Sequence, residues 1–253
     1  MGVDQKLAQK NGQKAYAKIE IVELNVPHSI EYTGDETNEI VLDCNYDTEG
    51  ETLEELEVIW YHNGVTNPIY QWIPFSNRSG DARGWFRSHL DLEYNVSDDK
   101  RTMYRALKLT NITTDLTGNY TCRVSSLKDE DDETKQLIVY SRPQSGIHMS
   151  LDEEEEQVVC SVEGVYPVPD LEIYIAGEND SRIDLEEHIE VEIDDVGFFN
   201  VTATHIFENL TILKELNSPV TFVCRLSIPG TNYNETETKD YYTGIYPCLI
   251  PYY

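Results

Sequence analysis

The sequence predicts an all-β chain folded as two tandem β-sandwiches. Three observations carry this: apolar residues alternate with period two around four cysteines, turn-forming residues recur at short intervals, and the second half repeats the plan of the first. No stretch reads as a long amphipathic helix. The 253 residues leave room for two domains of about 100–150 residues each.

In the first half, Ile40, Leu42 and Cys44 alternate with Val41 and Asp43. In EVIWYHNG, Val58 and Trp60 share a face. Leu107 and Leu109 do so in RALKLT, and Tyr120, Cys122 and Val124 in NYTCRV. QLIVY (136–140) is rich in β-branched residues and ends the unit. Turns are expected at DTEG (47–50), NG (63–64) and SNRSGDARG (76–84). In the second half, Val158, Cys160 and Val162 alternate, then Leu171, Ile173 and Ile175, then Phe222, Cys224 and Leu226. Phe199, Val201 and the run ATHIFENLTIL lie between them. Pro143 stiffens Ser141-Arg142-Pro143 into an extended junction. The expected organisation is therefore a polar segment at 1–17, domains at 18–141 and 142–244, and a tail at 245–253 that reads as cut short.

Composition excludes several classes. The formal charge of −28 repels phosphate backbones and anionic lipid heads, so nucleic acid is not an expected partner. An aromatic content of 10% is too high for an acidic disordered tail. No run of about 18 apolar residues is present to span a bilayer, and the polar start carries no apolar leader segment. Motifs for zinc peptidases, serine hydrolases and nucleotide binding are all missing. The histidines at 28, 62, 89, 148, 188 and 205 are scattered, and no cysteines form CxxC pairs. Neither an enzyme, a metal site nor a cofactor is expected. His62 reads as a polar residue at a strand end.

Secretion is expected from two independent features. Asn-x-Ser/Thr triplets begin at Asn77, Asn95, Asn111, Asn119, Asn179, Asn200, Asn209 and Asn234. Cys44, Cys122, Cys160 and Cys224, taken in order, form two widely spaced pairs. The fifth, Cys248, is left over; an intermolecular disulfide, and with it a homodimer, is one reading, and a free thiol is the other. A cystine from Cys44 to Cys122 would pin the two sheets of a sandwich together, with Trp60 packed on it. Tyr120 would face inward as a tyrosine corner, Gly118 would give the backbone its freedom entering the strand, and Asp115 would accept hydrogen bonds in the preceding turn.

The order Cys44, Trp60, Asp115, Gly118, Tyr120, Cys122 resembles the immunoglobulin superfamily. The long cysteine span and the extra run PIYQWIP resemble a variable-type domain with a C′ strand. The second half resembles a constant or C2-like domain, with departures: Ile173 or Tyr174 stands where strand C carries tryptophan, and Phe222 stands where the corner tyrosine would be. LDCNYDTEGE (42–51), VIWYHNG (58–64), YQWIP (70–74) and GVYPVPDLEIYI (164–175) resemble the beaten-path family of arthropod neuronal proteins. That resemblance implies axon guidance or adhesion, at the cell surface or after secretion, by binding another immunoglobulin-type ectodomain of the sidestep kind. The alternative is a soluble humoral binder with the same two domains.

With Trp60 pointing inward, strand alternation turns Ile59 and Tyr61 outward. Extending the same sense into the next strand turns Tyr70 and Trp72 outward too. These four residues are the expected partner-binding cluster. The acidic run DEDDE (129–133) is expected at a hairpin tip, either as a contact loop or as a solvated turn, and Asp152 to Glu156 as a solvated turn.

Overall fold

The computed structural model describes residues 18–34, 38–49, 53–177, 179, 181–208 and 219–242. The N-terminal segment, Asn209 and the tail with Cys248 lie outside them.

The first half contributes nine strands: β1 (Lys18–Asn25), β2 (Ser29–Glu31), β3 (Ile40–Glu49), β4 (Glu57–His62), β5 (Pro68–Trp72), β6 (Asp81–Ala82), β7 (Leu107–Leu109), β8 (Gly118–Ser125) and β9 (Glu130–Tyr140). They form a three-stranded sheet, β1-β3-β7, and a six-stranded sheet, β2-β9-β8-β4-β5-β6. β1 with β3, β3 with β7, and β4 with β5 and β8 pair antiparallel, as does β5 with β6; β2 pairs with β9 in parallel. Alternation places Leu42, Cys44, Val58, Trp60, Leu107, Leu109, Tyr120, Cys122 and Val124 in the core. Cys44 and Cys122 join the sheets, Cα–Cα 6.3 Å. Trp60 lies directly across from Cys122, and its indole N–H donates to the Arg105 carbonyl at 2.9 Å. β2 and β6 are too short to show a period and escaped the sequence reading; β6 falls inside the expected turn 76–84.

The second half contributes β10 (His148–Asp152), β11 (Gln157–Val165), β12 (Asp170–Ala176), β13 (Arg182–Asp184), β14 (His188–Ile193), β15 (Phe199–Ile206), β16 (Val220–Ser227) and β17 (Asn234–Tyr241). Their sheets run β10-β11-β15-β14 and β13-β12-β16-β17. Cys160 and Cys224 join them, Cα–Cα 6.2 Å. Ile173, not Tyr174, takes the strand position opposite Cys224. Tyr174 faces the other way, under the Arg182 guanidinium at 4.9 Å. Phe222 is fully buried against Phe207. The expected turn at 152–156 is present, with Asp152 Oδ1 accepting the Glu154 and Glu155 amides at 2.9 and 3.0 Å. Both halves are immunoglobulin-type sandwiches, each with an internal cystine.

Candidate functional site

The outer face of the six-stranded sheet is built from residues one step out of phase with the core. Residues opposite each other on antiparallel strands share a face. Gln71, Ile59 and Arg123 thus form one row across β5, β4 and β8, while Tyr61 and Thr121 form the next. Arg123 extends the row to β9 through an ion pair with Asp132 at 3.6 Å. Its guanidinium also lies over the Tyr61 ring, 5.6 Å from the centroid. Thr121 and Thr134 hydroxyls meet at 2.7 Å. At the other end, Arg83 donates to the Gln71 amide oxygen, and the Gln71 amide donates to Glu57.

The result is a rigid polar lattice around a small apolar centre. Ile59 is half-buried and Tyr61 only 6% exposed, because Arg123 roofs the ring. Arg123 Nε is buried and meets no acceptor among the described residues. A fixed guanidinium beside an aromatic ring is the kind of pre-ordered group that anchors a protein partner.

Two of the four expected binding residues do not face outward. Tyr70 lies across from Trp60, and Trp72 across from Val58, so both must follow the core phase. The turn at 63–67 and the register shift between Trp60 and Tyr61 set that pairing. Trp72 is 2% exposed and donates its indole N–H to the Arg78 carbonyl at 3.1 Å. The Tyr70 hydroxyl donates to the Tyr104 carbonyl at 2.8 Å, and burial pushes its pKa well up. Gly80 lies so close to the Tyr70 ring that a Cβ there would come within 2.1 Å of it. These are packing residues. Gln71, Arg123 and Asp132 stand on the outer face; the strand phase that turned Tyr70 and Trp72 outward turned Gln71 inward, Arg123 was missed, and Asp132 entered only as part of the acidic run. Reading the cross-strand register would have found Gln71 and Arg123.

The other expectations divide. Tyr120 is fully buried, with its ring 4.9 Å from His62, which is itself 4.9 Å from Phe86. His62 is thus a packing residue at a strand end. Gly118 is required for space, not for a left-handed backbone: a Cβ would fall 2.3 Å from His62 Nε2 and 2.4 Å from Asn63 Oδ1. Asp115 is exposed in its turn, and Arg105 pairs with Asp43 at 2.8 Å and with Asn45 at 2.6 Å.

The acidic run is neither a free contact loop nor a simple solvated turn. The tip is residues 126–129, closed by the Ser126 amide on the Asp129 carbonyl at 2.9 Å, and Glu130 already begins β9. Asp129 and Asp131 reach across to β1, accepting the Ile19 and Ile21 amides at 2.8 Å each. They close hydrogen bonds that an edge strand would otherwise leave to solvent or to a stray strand.

Among the described residues no group of three His, Cys, Asp or Glu is arranged to hold a metal, and no helix is long and apolar enough to cross a membrane. Of the eight triplet asparagines, Asn77, Asn95, Asn111, Asn119, Asn179 and Asn234 are exposed and Asn200 is half-buried; Asn209 lies outside the described residues.

No protein-family model matches the chain, and no curated protein matches it in sequence. Solved structures do. Bovine butyrophilin superposes with a TM-score of 0.62 at 14% identity, over 84% of this chain and 93% of that one. A chain from the structure of ICOS in complex with ICOS-L and an anti-ICOS-L VNAR domain gives 0.54 at 18%, over 83% and 97%. Rst D1-D2 gives 0.50 at 11%, over 87% and 96%. At these identities the likeness speaks for the fold alone, over 83–87% of this chain.

Proposed function

We propose that this chain is an extracellular recognition protein that binds another protein through the outer face of its six-stranded sheet. The observation that carries the reading is the row Gln71–Ile59–Arg123–Asp132, laid across four strands with Tyr61 beside it. Its side chains are already fixed by cross-strand contacts, so docking loses little further side-chain entropy. Two internal cystines support an oxidising compartment. One similar structure is a complex between two named partners, ICOS and ICOS-L, which supports a protein ligand here.

The partner is an ectodomain whose docking surface is basic at its rim, opposite Glu57, Asp81, Glu130 and Asp132, and offers an acceptor to Arg123 at its centre. By resemblance it is an immunoglobulin-type protein of the sidestep kind, and the setting is neuronal guidance or adhesion. The second sandwich acts as a spacer, with the domains running 18–141 and 142–244.

The test is a binding screen of the multimerised, secreted protein against cell-surface ectodomains, followed by Ile59→Ala and Arg123→Ala. Saturable binding that both substitutions weaken supports the reading. A partner indifferent to both places the site elsewhere. Capture of small ligands, with no protein partner, favours the soluble humoral alternative.

A further inference from the structure

Of the three tryptophans, Trp60 and Trp72 are buried, while Trp85 is 49% exposed. It lies in a short 3-10 turn, Gly84–His89, with its ring 4.1 Å from Phe86 and edge-on to His89 at 5.4 Å. That turn is tied directly to Asn111. The Asn111 side-chain amide donates to the Ser88 carbonyl at 3.0 Å, and His89 Nδ1 lies 2.8 Å from the Asn111 carbonyl oxygen. The neighbouring Thr110 amide donates to the His89 carbonyl at 2.9 Å, and the Ser88 hydroxyl donates to the Trp85 carbonyl at 2.8 Å. An exposed asparagine that heads Asn111-Ile112-Thr113 is thereby tied to the turn that carries Trp85, the half-exposed one of the three tryptophans.

Thr113 supplies an independent observation. Its hydroxyl oxygen is buried and has no hydrogen-bond partner among the described residues. A stranded hydroxyl disfavours folding, and valine would fill the same volume without that penalty. What does require a hydroxyl two residues after an asparagine is transfer of an N-linked glycan.

We propose that Asn111 carries an N-linked glycan and that the apolar C–H face of its first sugars rests on the Trp85 ring. The glycosylated amide keeps one N–H, so the bond to Ser88 is compatible with the modification and fixes the direction in which the sugar leaves. Sugar C–H groups pack on an indole face as other apolar groups do, and the sugar hydroxyls stay in water. Asn200 offers a contrast: it is half-buried in mid-strand, and its Oδ1 accepts the Gly164 amide at 3.0 Å. The proposal is independent of which partner the protein recognises.

The experiment uses the full chain secreted from animal cells. Peptide mass spectrometry reads occupancy at Asn111. Acrylamide quenching of tryptophan fluorescence reads exposure of Trp85, because Trp60 and Trp72 are shielded in the core. Asn111 should be occupied, and Asn111→Gln and Thr113→Val should each raise the quenching constant about twofold as the half-exposed ring is uncovered. Thr113→Ser, which keeps the triplet, and Asn234→Gln, which removes a distant one, should leave it unchanged. Amidase release of the whole glycan from folded wild-type protein, which leaves aspartate at position 111, gives the same readout with no folding step. An unoccupied Asn111, or a quenching constant unmoved by deglycosylation, overturns the proposal. So does a rise seen with Asn119→Gln but not with Asn111→Gln, which would assign the cover to a glycan at Asn119.

Discussion

Removing the carboxylates of Asp129 and Asp131 should loosen β1 far more than it disturbs the rest of the sandwich. Each carboxylate accepts one backbone amide, from Ile19 and Ile21, at 2.8 Å, and β1 is an edge strand that pairs, among the described residues, with β3 alone. A hydrogen bond to a charged group contributes roughly 1.5–3 kcal/mol, and both of these are only partly buried, so the lower end applies. Asp129→Ala and Asp131→Ala should each therefore cost about 1.5 kcal/mol locally, or about tenfold in the opening equilibrium of β1. Hydrogen exchange read on peptides spanning Lys18 to Leu24 measures this directly. Two opposing effects must be separated, because losing an acid also relieves self-repulsion in a chain of charge −28. Asparagine at either position removes the charge but keeps an acceptor oxygen, so it should lose less protection than alanine. Glu130→Gln, at an exposed position between the two, should change nothing. If alanine at both positions leaves β1 amides as protected as before, the carboxylates do not secure the strand and the reasoning fails.

Other outcomes follow from the same geometry. Trp72→Ala should lower stability by about 3–5 kcal/mol, as for other buried aromatics, and reduce binding only through misfolding; urea unfolding checks this. Arg123→Ala should leave the unfolding free energy within about 1 kcal/mol of wild type while weakening a partner, since its ion pair with Asp132 is partly exposed. Burial raises the phenol pKa of Tyr46, Tyr70 and Tyr120 above the ordinary value of 10.0. A raised folded pKa gives stability that is intact below 10.0 and lost as pH climbs through the folded values. The thermal midpoint should thus not fall on account of these tyrosines below that pH and should drop above it, with their absorbance at 295 nm changing only on unfolding.

What the sequence revealed and what it hid have separate physical causes. Residues whose role follows from alternation within one strand were legible: Cys44, Trp60 and Cys122 in the first sandwich, Cys160, Ile173 and Cys224 in the second. Their environment is decided by parity, and a cysteine or tryptophan anchors the phase. Tyr70 and Trp72 misled because their phase belongs to a pair of strands, not to one; the register shift beside Tyr61 cannot be seen in β5 alone. Asp129 and Asp131 were read as local because nothing in an acidic run announces amides 110 residues away. Gly118 and Gly80 answer to the side chains of His62 and Tyr70, which only the folded chain brings near. The outer face was therefore half legible: Ile59 and Tyr61 by parity, Gln71, Arg123 and Asp132 only by pairing.

The most direct test of the central claim is the affinity of a screened partner for the wild-type protein and for Arg123→Ala, measured at low and at physiological salt. Binding to a basic ectodomain should saturate, weaken about tenfold or more with alanine, and show an association rate that falls as salt rises. An affinity unchanged by Arg123→Ala in a folded variant, or no saturable protein partner at all, contradicts the claim.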